Sequence, residues 1–393
     1  MITDILNIET QDFINSNLDS DITSLLLKGI PFKGVDPKCI IEQIEAKKRS
    51  KRKLPTWFNS ENIYYPNKLN IEQTSSEITA KYKADLVSGK SLIDLTGGFG
   101  VDVYYFSKQL DLAIHCEINT KLSKIVKHNY ASLGVLNVDC YSKNGIEVLK
   151  RLDKPFDWIY IDPSRRDNSK QKVFLLSDCA PNIKTFQNLF LKYACNVMIK
   201  TSPLLDLTAT LSDLKHVKEV HIIAVNNEMK ELLWILERNY DRQVVIKTVN
   251  LQKDIIQKFE FIFKEEPIAK VEYSEPLTYL YEPNSAILKA GAFNSISDIF
   301  NIPKLHKHSH LYTSEDLIDF SGRSFKIEKH LLFNKKLFSK ERITKGNITT
   351  RNFPLSVNDI RKKFNINDGG NIYLFFTTDL NNKKIILICS KTS

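Results

Sequence analysis

The chain has 393 residues, a net charge of +10 and 42% hydrophobic residues, enough for about two to four domains and too apolar for a disordered chain. No apolar run approaches the ~18–20 residues that cross a bilayer, and acids (Asp4, Glu9, Asp12, Asp19, Asp21) stand where a signal peptide has bases and an apolar core. The six cysteines are scattered without a CxxC pair; they read as small buried hydrophobes in a reducing cytoplasm, so neither secretion nor membrane insertion is expected.

Residues 1 to about 80 read as helical, with apolar positions recurring at three and four in 5–13 and 22–27. A helix over 38–47 runs into the basic block KKRSKRK, which Leu54-Pro55 ends because proline disfavours helix in the residue before it. The block reads as a charged helix end, with contact to phosphate as the alternative. Residues 72–86 form a further helix, capped by Ser75 or Ser76.

From Ser91 short apolar runs alternate with amphipathic ones. Strands are expected at 91–95, 112–117, 137–141, 157–161, 196–201 and 219–224. Helices are expected at 101–110, 120–133, 182–192, 204–214 and 229–237. This alternation marks a doubly wound, mostly parallel α/β sheet. Two strands with no helix between them, 243–249 and 256–263, read as a closing hairpin. A charged, proline-bearing stretch at 264–276 reads as a linker, followed by a short mixed segment. The last unit is α+β, with strands at 324–328, 348–353, 372–377 and 384–389, a helix at 356–364 and a turn at Asp368-Gly369-Gly370.

Charge is unevenly distributed. From Arg323 to Ser393 there are 15 Lys/Arg and 5 Asp/Glu, so the whole excess lies there and the rest of the chain is neutral, with 41 of each sign. Such a step suggests an appended module that meets a polyanion, nucleic acid first; a solvated basic surface is the bland alternative.

The chemistry is concentrated in three places. In SLIDLTGGFGVD (91–102) a strand ends in Asp94, a turn holds Gly97, Gly98 and Gly100, and a helix begins. Glycines let backbone approach a ligand without a Cβ clash, and a helix N-terminus offers free N–H groups. The spacing is neither GxGxxG nor GxxxxGK[ST]. Glu117 follows the next strand by 23 residues from Asp94, where an acid can accept both ribose hydroxyls of an adenosine ligand. That alone does not separate a nicotinamide dinucleotide from S-adenosylmethionine. Asp94 does, because it can hold a cationic amino-acid end and would repel a pyrophosphate. In DWIYIDPSRR (157–166) a strand delivers Asp162-Pro163 to the carboxyl edge of the sheet, where open α/β sheets bind ligands. Arg165 and Arg166 can contact phosphate or form surface ion pairs. Lys200, Thr201, Ser202, Pro203 and Asp206 follow the fifth strand and can line the same pocket. Weaker candidates are a metal at His306, His308 and His310, whose alternate spacing lacks a partner cluster, and Cys179 as a nucleophile, which needs an exposed thiol of low pKa.

With these motifs the chain resembles a class I S-adenosylmethionine-dependent methyltransferase. More narrowly, it resembles the bacterial group that carries a C-terminal THUMP-like domain. DLTGGFGVD matches that group's first motif, Glu117 its acid after the second strand and IDPSRR its catalytic loop. Support comes from EQTSSEITAKYKA (72–84), YEPNSAILKAGAF (281–293) and TTRNFPLSVNDIRKKFNINDGGNIYLFFTT (349–378). The resemblance implies a Rossmann-like methyltransferase sheet at 76–270 behind an N-terminal helical region (1–75), a small ferredoxin-like segment (277–323) and a basic THUMP-like domain (324–393). It implies that Asp94, Thr96, Gly97, Gly98 and Gly100 hold the methionine end of S-adenosylmethionine. Glu117, with Ile118 beside it, would take the ribose, and Asn144 stands where the group commonly has an acid for the adenine. Asp162, Pro163 and Arg165 would form the catalytic loop, Asp162 also bordering the cofactor. Ser164 and Arg165 replace the proline and aromatic of the (D/N)PP(Y/F) loop that methylates exocyclic amines. THUMP domains bind RNA, so Arg166, Arg323, Lys326, Arg351, Arg361, Lys362 and Lys363 are the expected RNA contacts. The expectation is a methyltransferase acting on an rRNA or tRNA base, without membrane or metal partners. A methyltransferase of DNA or a small molecule, and a non-catalytic RNA-binding factor that retains the pocket, stand as alternatives.

Overall fold

The structure is a computed structural model that describes residues 2–32, 34–165 and 176–392. The chain divides into two compact units, Met1–Val217 with Leu233–Asp241, and Lys218–Leu232 with Arg242–Ser393. No helix among the described residues is long and apolar enough to cross a membrane.

The first unit opens on helices. The longest, Pro37–Lys53, has Asp36 as its N-cap, Pro37 in its first turn, and Ile40, Ile41 and Ile44 on its buried face. The basic block forms about the last two turns of this helix rather than a separate tail. There its charges complement the negative end of the helix dipole, and Lys53 Nζ donates to the carbonyls of Ile71 and Glu72. Ser76 is the N-cap of the helix Glu77–Ala84, with Oγ accepting from Thr79 N.

Five parallel strands follow: β1 (Ser91–Asp94), β2 (Leu112–Cys116), β3 (Val138–Tyr141), β4 (Phe156–Ile161) and β5 (Ala194–Thr201). Their spatial order is β5-β4-β1-β2-β3. β1 and β4 are buried along nearly their whole length, as strands covered on both faces must be. The chain winds one way from β1 to β3 and then crosses to the other side of β1. The switch point therefore lies between β1 and β4, and ligand crevices in such sheets open at the carboxyl ends beside it.

In the second unit β6 (Val217–Val225) runs parallel to β8 (Val245–Leu251), and β8 pairs antiparallel with β9 (Ile256–Ile262), the closing hairpin expected from the sequence. Residues 229–237, expected as a helix, are a strand instead, β7 (Glu228–Glu237). Leu232 to Leu236 are all buried, and a continuous apolar run carries no periodicity by which to tell strand from helix. The deciding signal is Asn226-Asn227, both with positive φ (50° and 64°); two left-handed residues in sequence form a hairpin turn.

The rest of the second unit is built on one six-stranded sheet with helices between its strands. Its members are β10 (Tyr279–Pro283), β11 (Tyr312–Ser314), β12 (Gly322–Leu332), β13 (Asn347–Thr350), β14 (Ile372–Thr378) and β15 (Lys384–Lys391), in the order β11-β10-β12-β15-β14-β13. Strand β12 pairs with β10 on one side and β15 on the other, so the two C-terminal segments set apart in the sequence share a sheet. Two apolar clusters, around Leu280, Phe325 and Phe375 and around Phe338, Ile360 and Phe376, bury its side chains.

Candidate active site

At the end of β1 the carboxylate of Asp94 is only 2% exposed. Its Oδ1 accepts from Thr96 N (2.8 Å) and Thr96 Oγ1 (3.1 Å), which folds the turn back on its own strand. Thr96 Oγ1 in turn accepts from Asp162 N (2.7 Å), the residue that follows β4. One threonine thus ties the glycine turn to the loop that follows β4 across the switch point. Glu117, after β2, accepts from Gly98 N on Oε2 (2.9 Å) and Asn119 N on Oε1 (2.7 Å). Each carboxylate oxygen keeps further acceptor capacity for a hydroxyl.

The three glycines of the turn divide their labour. Gly98 has φ +57° and room where a Cβ would stand, with only the Thr96 carbonyl at 3.9 Å, so its positive φ rather than a close approach is what calls for glycine. A Cβ on Gly97 would lie 2.5 Å from His115 Nε2, and one on Gly100 (φ +75°) 2.3 Å from the Tyr130 hydroxyl. Those two let the turn press onto β2 and the helix Thr120–Ser132 rather than onto a ligand. Gly145, not singled out in the sequence, plays the same part: its Cβ would meet the Leu95 carbonyl at 2.3 Å.

Beneath the turn lies a charged cluster that the sequence did not reveal. Lys83 is fully buried and pairs with Asp102 Oδ1 (3.1 Å). Asp102 Oδ2 accepts from Ser75 Oγ and Tyr160 OH, both at 2.8 Å. Lys200, near the end of β5, holds Asp162 Oδ2 at 2.7 Å. Burial pushes the Asp102 carboxyl up, but Lys83, Lys200 and the two hydroxyls bring it below the usual carboxylate range. Asp162 is held above that range by burial, although Lys200 pulls it back. Asp94 stands well above it, through burial first and then the like charges of Asp102 and Asp162, against the opposing bonds from Thr96. Glu117 is raised by burial, with the backbone N–H groups of Asn119 and Gly98 opposing.

Three carboxylates, Asp94, Asp102 and Asp162, thus face two ammonium groups, Lys83 and Lys200. Among the described residues Asp94 is the carboxyl left without an ammonium partner, and it holds its proton most readily. A cation placed there lets a buried carboxylate ionise, whereas a diphosphate would meet repulsion. The residues therefore fit the cationic methionine end of S-adenosylmethionine, with Glu117 for the ribose.

The other candidates are placed as follows. Ile118 is 70% exposed beside Glu117. Asn144 is the N-cap of the helix Gly145–Leu152; its side-chain oxygen accepts from Ile146 N and Glu147 N, so the cap engages the atom that an adenine amine would need. Pro163 is half-buried, and Ser164–Arg165 pairs its backbone with Cys179–Ala180 in a short ribbon. The Arg165 side chain and Arg166 lie outside the described residues. Cys179 is buried and offers no exposed thiol. Asp206 caps the helix Leu207–Asp213. His306 spends Nδ1 on His308 N and Asn352 Nδ2 and Nε2 on Asn382, and His310 stacks on Phe293. Among the described residues no group of three metal-ligating side chains forms.

In the second unit Arg323 and Arg351 both bond the buried Glu282, Arg323 through Oε2 and Arg351 through Oε1. Arg361 holds Asp368 and the carbonyls of Gly346 and Ile366. Three of the expected RNA contacts therefore brace the fold. Lys326, Lys362 and Lys363 are exposed, Lys363 lying 4.8 Å over the Phe333 ring.

Sheet order, glycine turn, paired acids and excess negative charge at the switch point define a class I methyltransferase site. Comparison with known proteins agrees. Residues 279–320 match the model of a ferredoxin-like domain and residues 322–391 that of a THUMP domain-like family. A candidate methyltransferase from Porphyromonas gingivalis W83, known by crystal structure, is 31% identical over 97% of both chains, with a TM-score of 0.86. The chain belongs to that family, the class I S-adenosylmethionine-dependent methyltransferases with a C-terminal THUMP-like domain, and S-adenosylmethionine is its cofactor. An rRNA methylase from Streptococcus thermophilus (14% identical, 41% of this chain, 94% of that one, TM-score 0.30) and a candidate methyltransferase from Streptococcus mutans in complex with S-adenosylhomocysteine (12%, 41%, 96%, 0.31) are more distant. No curated protein matches the chain.

Proposed function

We propose that the protein methylates RNA, an rRNA or tRNA base, at the carboxyl edge of the first unit's sheet. The observation that carries the substrate class is one chain holding both a methyltransferase site and a THUMP-like module with the entire +10 charge. Exposed lysines that displace counterions from a phosphate backbone give affinity without sequence preference. A base in a stack must leave it to enter such a site.

Bound S-adenosylmethionine supplies an electrophilic methyl group. Asp94 and the Gly98 backbone are suited to its methionine end, and Glu117 to its ribose. Asp162 accepts a hydrogen bond from the group to be methylated. Because the sulfonium is itself reactive, most of the rate comes from alignment, in which well-oriented groups remove about 7–11 kcal/mol of barrier. The test is tritium transfer from labelled S-adenosylmethionine to total RNA, DNA and metabolite extract from a strain lacking the gene. Transfer to RNA alone is expected, reduced about a hundredfold or more in Asp162→Ala. Transfer only to DNA or metabolites overturns the RNA reading, and full turnover of Asp162→Ala overturns the role of Asp162. RNA binding without transfer to any RNA marks a non-catalytic binder.

A further inference from the structure

Lys200 lies one residue before the end of β5, and its neighbour is pinned: the buried Trp234 indole donates to Thr201 Oγ1 at 2.9 Å. Its side chain is 12% exposed, that of Asp162 37%. The ammonium is thus the shielded partner and the carboxylate the one that faces outward. Two independent anchors fix Asp162, Thr96 Oγ1 at its backbone N–H and Lys200 at Oδ2. Lys200 also helps to lower the buried Asp102, but the carboxylate oxygen that its ammonium grips directly is Oδ2 of Asp162.

We propose that Lys200 is a positioning residue for methyl transfer, fixing Oδ2 of Asp162 so that Oδ1 alone faces the group to be methylated. This rests on the methyl-transfer reading above. In the reaction the carbon–sulfur bond breaks with its electron pair left on sulfur, the target's lone pair forms the new bond to the methyl carbon, and the target's proton passes along its hydrogen bond to Asp162 Oδ1 and from there to solvent. Oδ1 accepts that hydrogen bond only if Asp162 is ionised and its rotamer is held. Without Lys200, Asp162 faces the acids Asp94, at the end of β1, and Asp102, on the helix Val101–Phe106, with Lys83, on the helix Glu77–Ala84, as the remaining base. A group left among like charges protonates more readily.

The experiment compares wild type with Lys200→Met and Lys200→Arg. The first measurement is the titration of carboxyl-13C aspartate by NMR, with Asp162→Asn to assign the signal. The second is the pH profile of tritium transfer to total RNA from the deletion strain, and the third is calorimetric affinity for S-adenosylmethionine. In Lys200→Met the Asp162 midpoint is expected to rise by about one pH unit or more. The acid limb of kcat/KM moves up with it, while cofactor affinity stays within about twofold. Lys200→Arg restores the wild-type midpoint, because it keeps the charge. An unmoved Asp162 midpoint in Lys200→Met, or a uniform loss of rate with the acid limb in place, overturns the proposal. Absence of transfer to any RNA removes the RNA reading alone, and the carboxyl titration then decides the role of Lys200 by itself.

Discussion

The two units use charge in opposite ways. In the first, Lys83, Asp94 and Asp102 are buried and bonded, so each charge has one place to be. In the second, Lys326, Lys362 and Lys363 are exposed, free to meet a flexible polyanion. At the buried Glu282 the second unit encloses a charge between Arg323 and Arg351, and the result is structural. Buried charge fixes geometry at a large desolvation penalty, and surface charge gives affinity at almost none. A site that must align a reactive cofactor needs the former, and a surface that holds a varied backbone needs the latter.

The contrast breaks most visibly at Lys83. Lys83→Met strands the Asp102 carboxylate, and removing one partner of a buried pair destabilises by about 3–5 kcal/mol. Urea unfolding should show that loss in the single variant and a smaller one in Lys83→Met with Asp102→Asn, because the double change removes both partners of the pair and strands neither. Equal losses would mean that the pair contributes through packing.

Asp94 comes next. Lacking a cation, it holds its proton to higher pH than an ordinary carboxylate, burial being the chief cause. A cationic ligand stabilises the ionised form, so binding releases a proton. Affinity for S-adenosylmethionine therefore rises with pH until Asp94 is ionised in the free protein, and levels off above that. Calorimetry in buffers of different ionisation enthalpy reads the proton directly. Asp94→Ala should weaken binding by about two orders of magnitude and abolish the pH slope. Binding in the variant that is tight and still rises with pH would move the cation site elsewhere.

What the sequence disclosed follows the same division. The glycine turn, Asp94, Glu117 and Asp162 stand at strand ends within contiguous motifs, so alternation of strand and helix places them at one edge. The ion pairs do not announce themselves. Lys83 and Asp102 belong to different helices, and Arg323 and Arg351 lie 41 and 69 residues from Glu282. No local pattern says which lysine will be buried against which acid, because that pairing is set by packing between elements. For this reason the pairing of Arg323 and Arg351 with Glu282, and of Arg361 with Asp368, is visible only in the structure. Strand β7 was hidden for a related reason, since burial on both faces erases the alternation by which strands are recognised.

The smallest effect belongs to the exposed lysines. Lys362 and Lys363 occupy the last turn of the helix Val357–Phe364, where cations suit the helix dipole. The helix keeps its own capping box at Ser356 and Asp359, so replacing both lysines with alanine should leave folding within about 0.5 kcal/mol. If they meet phosphate, affinity for bulk tRNA should fall by less than about tenfold. The plot of log affinity against log salt should flatten by roughly one to two units, independently of RNA sequence. An unchanged slope would place the contact surface elsewhere on the module, and a sequence-dependent loss would mean that these residues read bases rather than backbone.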